Sequence, residues 1–142
     1  MPKKAEKTRN AGTMTEAAFK SLIISALREK SRWWKPKVKC IQKAKVMKGV
    51  YLCASCGKLV PSTIQGVYKT GKKAGKPRKI KNILADHIDP VVDPNVGFVD
   101  WNTYIERMFV EEGWQAICHK CHTEKTAEEK AIATERRRNE NN

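Results

Sequence analysis

The sequence predicts an α+β fold, small and stapled by metal, with a basic helical N-terminal extension. Three observations predict it. Two CxxC pairs, Cys53-Ala-Ser-Cys56 and Cys118-His-Lys-Cys121, frame the central part of a 142-residue chain. Runs with helical spacing alternate with short strand-like runs on either side of those pairs. Basic residues crowd the front half, where helical periodicity is clearest.

The elements follow in order. Residues 1–12 lack apolar periodicity and read as a disordered basic arm. Thr13 and Glu16 form a capping box, and Phe19, Leu22, Ile23, Ala26 and Leu27 then recur at helical spacing to about Trp33. Pro36 prevents a smooth continuation. A second basic helix is expected over 36–47, burying Cys40, Ile41 and Ala44 and closing at Gly49. Residues 13–49 therefore form the helical extension. Val50-Tyr51-Leu52 leads into the first cysteine pair, with a turn at Gly57. Residues 60–68 read as a hairpin, and 69–81, with seven basic residues, Gly71, Gly75 and Pro77, as an exposed loop. A strand over 80–88 ends near Asp86 and His87. Asp100 caps a helix whose apolar face is Trp101, Tyr104, Ile105, Met108 and Phe109. Gly113 breaks it, Trp114 to Ile117 is a strand, and a last helix runs from His122 to about Arg137. The central domain spans 50–128, and 129–142 is the end of that helix with a frayed tail.

Cysteines spaced in this way present two thiolates each to one metal, and four complete a closed tetrahedral zinc shell. No stretch approaches the ~18 apolar residues of a membrane span, and no signal-peptide pattern follows the first lysines. An intracellular, cytoplasmic setting with reduced thiols and no membrane partner is expected, and there paired CxxC reads as metal binding. Cys40 lacks such a pairing and reads as a small apolar residue.

Net charge is +14, unevenly spread. Residues 1–50 carry 14 basic and 3 acidic side chains, and 51–85 carry 8 basic and none acidic. Residues 86–128 reverse the balance with 3 basic and 9 acidic. Charge of this size points to a polyanion, most simply nucleic acid. An acidic pocket between cationic arms suits a divalent cation held against a phosphodiester. The dense group Lys72, Lys73, Lys76, Arg78 and Lys79 is the best phosphate-contact candidate. Arg32, Trp33 and Lys35 form a second one, in which Trp33-Trp34 either stack on bases or anchor the first helix on the core. Asp89, Asp93 and Asp100 read as turn and cap residues.

Cys53-x-x-Cys56, Asp86-His87-Ile88-x-Pro90 and Cys118-x-x-Cys121-His122-x-x-Lys125-Thr126 resemble the zinc-bearing branch of the HNH endonucleases, whose core is the ββα-metal fold. The resemblance covers roughly residues 50–128, and the run from Gly97 to Thr126 is similar to small HNH proteins of tailed bacteriophages. It implies a phage-encoded, metal-dependent endonuclease acting on DNA inside the host cell. His87 would be the general base. Asp86 and His122 would hold Mg²⁺ or another divalent cation, while Cys53, Cys56, Cys118 and Cys121 hold structural Zn²⁺. Thr126 could hold a metal-bound water and Lys125 could meet a phosphate. One departure stands out: the family's middle Asn, nine residues before the final His, is Gly113 here. A backbone carbonyl or Asn102 could orient His87 instead, although Asn102 also suits an ordinary helix surface. Two alternatives remain open: a non-catalytic zinc-ribbon protein that binds nucleic acid, and an accessory module. In the latter, Trp101, Tyr104 and Phe109 would dock a phage packaging or host protein.

Overall fold

In the computed structural model, which describes residues 1–142, the chain divides into two compact units, Met1–Trp34 and Lys35–Asn142. The first opens with a small antiparallel ribbon of β1 (Lys7–Arg9) and β2 (Met14–Thr15). Part of the arm expected to be disordered is therefore structured. Its turn is made by Asn10, Ala11 and Gly12, all at positive φ. Arg9 ties it down, bonding Glu16 at 2.7 Å and lying over the Phe19 ring. Helix α1 (Glu16–Ser31) is capped by Thr15, whose Oγ1 accepts from Ala18 N. Thr13, the expected cap, instead donates to Asn10 O within the turn. Phe19, Ile23 and Leu27 are half-buried, whereas Leu22 and Ala26 are exposed.

In the second unit, α2 (Lys35–Ala44) packs on two strands described below, β8 and β9. It belongs to the larger unit rather than to an N-terminal extension ending at residue 49. It also stops earlier than expected. β3 (Lys45–Met47) leaves the helix to pair with β4 (Val50–Leu52), which pairs in turn with β5 (Leu59–Pro61). The expected hairpin over 60–68 is split. Its first part is β5, and its second is β6 (Thr63–Val67), which pairs with β7 (Pro77–Lys81). Arg78 and Lys79 thus lie on a strand rather than in a loop.

The strand expected over 80–88 is likewise two strands. β7 ends at Lys81, and β8 (Ile83–His87) pairs antiparallel with β9 (Trp114–Cys118). Asn82 makes the break. It is buried, its Nδ2 donates to Pro61 O at 2.9 Å, and its Oδ1 and carbonyl both accept from His119 N. One side chain thereby clasps the β5 corner to the start of α4 (His119–Glu140). Between β8 and β9 lies α3 (Trp101–Met108), capped as expected by Asp100 through Thr103 N at 2.7 Å. Tyr104 and Met108 face inward from it. α4 packs on β8 and β9. The core centres on Cys53, Ile117 and Cys118, with Val60 and Cys121 against them. No helix is long and apolar enough to cross a membrane.

Candidate functional site

The two cysteine pairs meet because backbone bonds join their segments. The first pair sits in the β4–β5 turn, closed by Cys53 N donating to Lys58 O and by Gly57, at φ +71°, donating to Cys53 O. Ala54 N then reaches Ala116 O on β9 at 2.9 Å. The second pair runs from the end of β9 into the first turn of α4. The four thiol sulfurs lie within 4.8 Å of one another and can hold one metal ion. Burial works against the Cys53 thiolate. It is outweighed by N–H groups of Cys56, Cys118 and Ser55, which lower its pKa to about 6. At Cys121 a Ser55 hydrogen bond lowers the pKa but is outweighed by burial and by the neighbouring Cys118, Cys53 and Cys56 thiols, which push it up to about 12. Of these two, Cys53 is the one prepared as a thiolate.

Asp86 and His87 are neighbours at the end of β8, so their side chains point to opposite faces. Asp86 faces α4. Its Oδ1 lies 3.8 Å from His122 Nε2, and its Oδ2 accepts from Lys125 Nζ at 2.5 Å and Gln115 Nε2 at 3.1 Å. Lys125 also donates to the His87 carbonyl and pairs with Glu129 at 3.4 Å. An Asp86 oxygen and a His122 nitrogen thus face each other, while the Lys125 ammonium occupies the other carboxylate oxygen. Lys125, the candidate for a phosphate contact, therefore sits on the carboxylate.

His87 faces the other way. Its ring packs against Trp114, its direct cross-strand partner, with centroids 4.0 Å apart. His87 Nε2 lies 2.9 Å from the Met108 carbonyl at the end of α3. A carbonyl only accepts, so Nε2 carries the proton and Nδ1 keeps its lone pair. Burial lowers the His87 pKa. The Met108 carbonyl and Asp86 oppose this, while Lys37 and Lys125 add to it. The ring is therefore a neutral base at neutral pH. Gly113 has φ +95°, and its carbonyl accepts from Ile88 N rather than from the ring. Asn102 is exposed on α3 and Thr126 is exposed on α4.

Among the other candidates, Trp33 is 76% exposed, so it does not anchor α1 on a core. Lys72, Lys73, Lys76, Arg78, Lys79, Arg32 and Lys35 are all exposed. Asp93 makes a turn through Asn95 N, and Asp89 pairs with Arg107. The sequence reading missed Asn82, Gln115, Trp114 and the Met108 carbonyl. Gln115 and Trp114 become visible only once the β8–β9 register is known. Compared with protein-family models, with curated proteins and with solved structures, the chain matches none.

Proposed function

We propose that the chain is an HNH-type endonuclease of the ββα-metal class, hydrolysing DNA phosphodiester bonds. Its four cysteines would hold zinc. Zinc–thiolate bonds of about 2.3 Å place sulfurs about 3.8 Å apart in a tetrahedron. A set whose members all lie within 4.8 Å closes to that geometry with small side-chain shifts. The observation that carries the catalytic reading is the divided pair on β8. Asp86 is turned toward His122, and His87 is turned away and fixed by the Met108 carbonyl.

In this reading His87 Nδ1 takes the proton of the attacking water, and the ring, already neutral, needs no prior deprotonation. Attack at phosphorus forms the new P–O bond and breaks P–O3′, and the 3′ oxygen takes a proton from solvent, leaving a 5′-phosphate and a 3′-hydroxyl. Asp86 and His122 would hold Mg²⁺ or another divalent cation, which supplies charge neutralisation at the phosphate and the leaving oxygen. The Met108 carbonyl replaces the family's Asn in orienting the imidazole, so Gly113 costs the site no orienting group. Trp114 limits ring rotation. Lys72, Lys73, Lys76, Arg78 and Lys79 would attract DNA through its phosphates.

A second reading, a non-catalytic zinc-bearing nucleic-acid-binding protein, is favoured by Lys125, whose ammonium already satisfies Asp86. The experiment that separates the two uses the zinc-loaded protein, supercoiled plasmid and added Mg²⁺ or Mn²⁺. Nicked or linear DNA with 5′-phosphate ends supports the nuclease. Binding without cleavage under every divalent ion supports the second reading.

A further inference from the structure

The β6–β7 hairpin differs in kind from the rest of the molecule. Its two strands pack extensively only on each other. Residues 63–81 hold seven basic side chains and no acidic one, and none of the seven forms an ion pair within the chain. Packing does not account for such density, because unpaired like charges on one ribbon repel each other.

The register sorts its two faces. Thr63 lies opposite Lys81 and Gln65 opposite Lys79, so these four share one face, and all are exposed. The other face is partly covered. Ile64 and Ile80 are half-buried there, and Ile80 fills the space above Gly66, where a Cβ would meet its Cδ1 at 2.2 Å. Near the tip, Tyr68 is half-buried between the Lys73 ammonium at 5.6 Å and the Arg78 guanidinium at 5.5 Å.

The geometry points to the β6–β7 ribbon as a duplex-reading element. It would lie in the major groove of B-form DNA, with the Thr63–Gln65–Lys79–Lys81 face toward base edges and the tip lysines on phosphates. This rests on DNA as the partner proposed above, and not on cleavage. A two-stranded ribbon fits a groove about 12 Å wide, where Gln and Lys side chains can bond purine acceptors. Duplex RNA offers no such entry, because its major groove is too deep and narrow. Single strands call for open aromatic platforms, whereas Tyr68 is flanked by its own cations. The exposed face carries only Val67 and Pro77 as apolar groups, at its tip end, too small an apolar area to insert into a membrane.

The test uses zinc-loaded full-length His87→Ala protein, which removes cleavage from the measurement. Labelled duplex DNA, duplex RNA, single-stranded DNA and a duplex carrying 7-deazaguanine are titrated by fluorescence anisotropy across a salt series. Duplex DNA should bind at least about tenfold tighter than duplex RNA, and loss of guanine N7 should weaken it about fivefold or more. Lys72→Ala with Lys73→Ala should lower the slope of log affinity against log salt by about 2. Gln65→Ala with Lys79→Ala should reduce the penalty for 7-deazaguanine. All four positions are exposed, so circular dichroism and zinc content should match the parent. Equal binding of duplex RNA, indifference to N7, or unchanged binding by both double variants overturns the ribbon assignment. If those variants still bind as the parent does, the DNA reading survives while the ribbon assignment fails. If the parent binds no nucleic acid, both fail.

Discussion

Lys125 Nζ bridges Asp86 Oδ2 and the His87 carbonyl, so a divalent ion entering beside His122 meets an ammonium already paired. A partly exposed ion pair of this kind is worth roughly 1 kcal/mol. Lys125→Met keeps most of the stem and removes the charge. It should raise Mn²⁺ affinity about fivefold to tenfold by titration calorimetry on zinc-loaded protein; unchanged or weaker binding would show that Lys125 does not compete at this site. Gly113 offers a second residue-scale test. Its φ of +95° suits glycine, and the Met108 carbonyl already bonds the imidazole. Gly113→Asn should therefore leave cleavage within about threefold while lowering stability by about 1 kcal/mol of backbone strain. A tenfold gain in rate would mean that the family's Asn is missed after all. At this scale the sequence was informative about identities. Asp86, His87, His122 and the cysteines stand out because their chemistry is unusual. The Met108 carbonyl had no signal, because every residue carries one.

At the scale of elements, α3 is the part that carries the orienting carbonyl. Tyr104 and Met108 bury its inner face, and Asp100 fixes its start. Tyr104→Ala should cost about 3 kcal/mol and loosen the helix end beneath His87. Cleavage should fall together with the melting temperature while zinc content stays at the parental level. Full activity in a thermally weakened protein would separate α3 from His87. This helix was legible from Asp100, the spacing of Trp101, Tyr104, Ile105 and Met108, and Gly113 beyond. The strands were less so. Ile80 to Ile88 reads as one run because apolar residues continue through it. Asn82 interrupts it by bonding Pro61 and His119, which are 21 and 37 positions away. Local pattern cannot register contacts of that range. The end of α2 was hidden for a similar reason: Lys45 to Met47 becomes a strand by pairing with Val50 and Tyr51.

Over the whole molecule, the core of the larger unit is small, and besides Ile83, Tyr104, Met108, Ala116 and Ile117 it is built from cysteines. Cys53 and Cys118 are two of the three residues in its buried cluster, and Cys121 packs against them. Structural zinc contributes about 10–16 kcal/mol in small zinc domains, comparable with the ~5–15 kcal/mol total stability of an ordinary domain. Cys53→Ser, or a strong chelator, should therefore unfold Lys35–Asn142 cooperatively by circular dichroism. A folded, zinc-free Cys53→Ser protein would contradict the structural role. Charge organisation at this scale was plain from sequence: cations before Asp86, acids after it. What could not be read was that part of the basic run is a ribbon, since strand pairing across a basic tip leaves no periodic apolar mark.

In the proposed reaction His87 would take a proton from the attacking water beside a divalent ion. Its most direct test compares parent and His87→Ala, both folded and zinc-loaded, on supercoiled plasmid with and without Mg²⁺ or Mn²⁺. Metal-dependent relaxed or linear product is expected from the parent, with a loss of about 100-fold or more in the variant. Equal cleavage by both proteins, or none by the parent under any divalent ion, would contradict it.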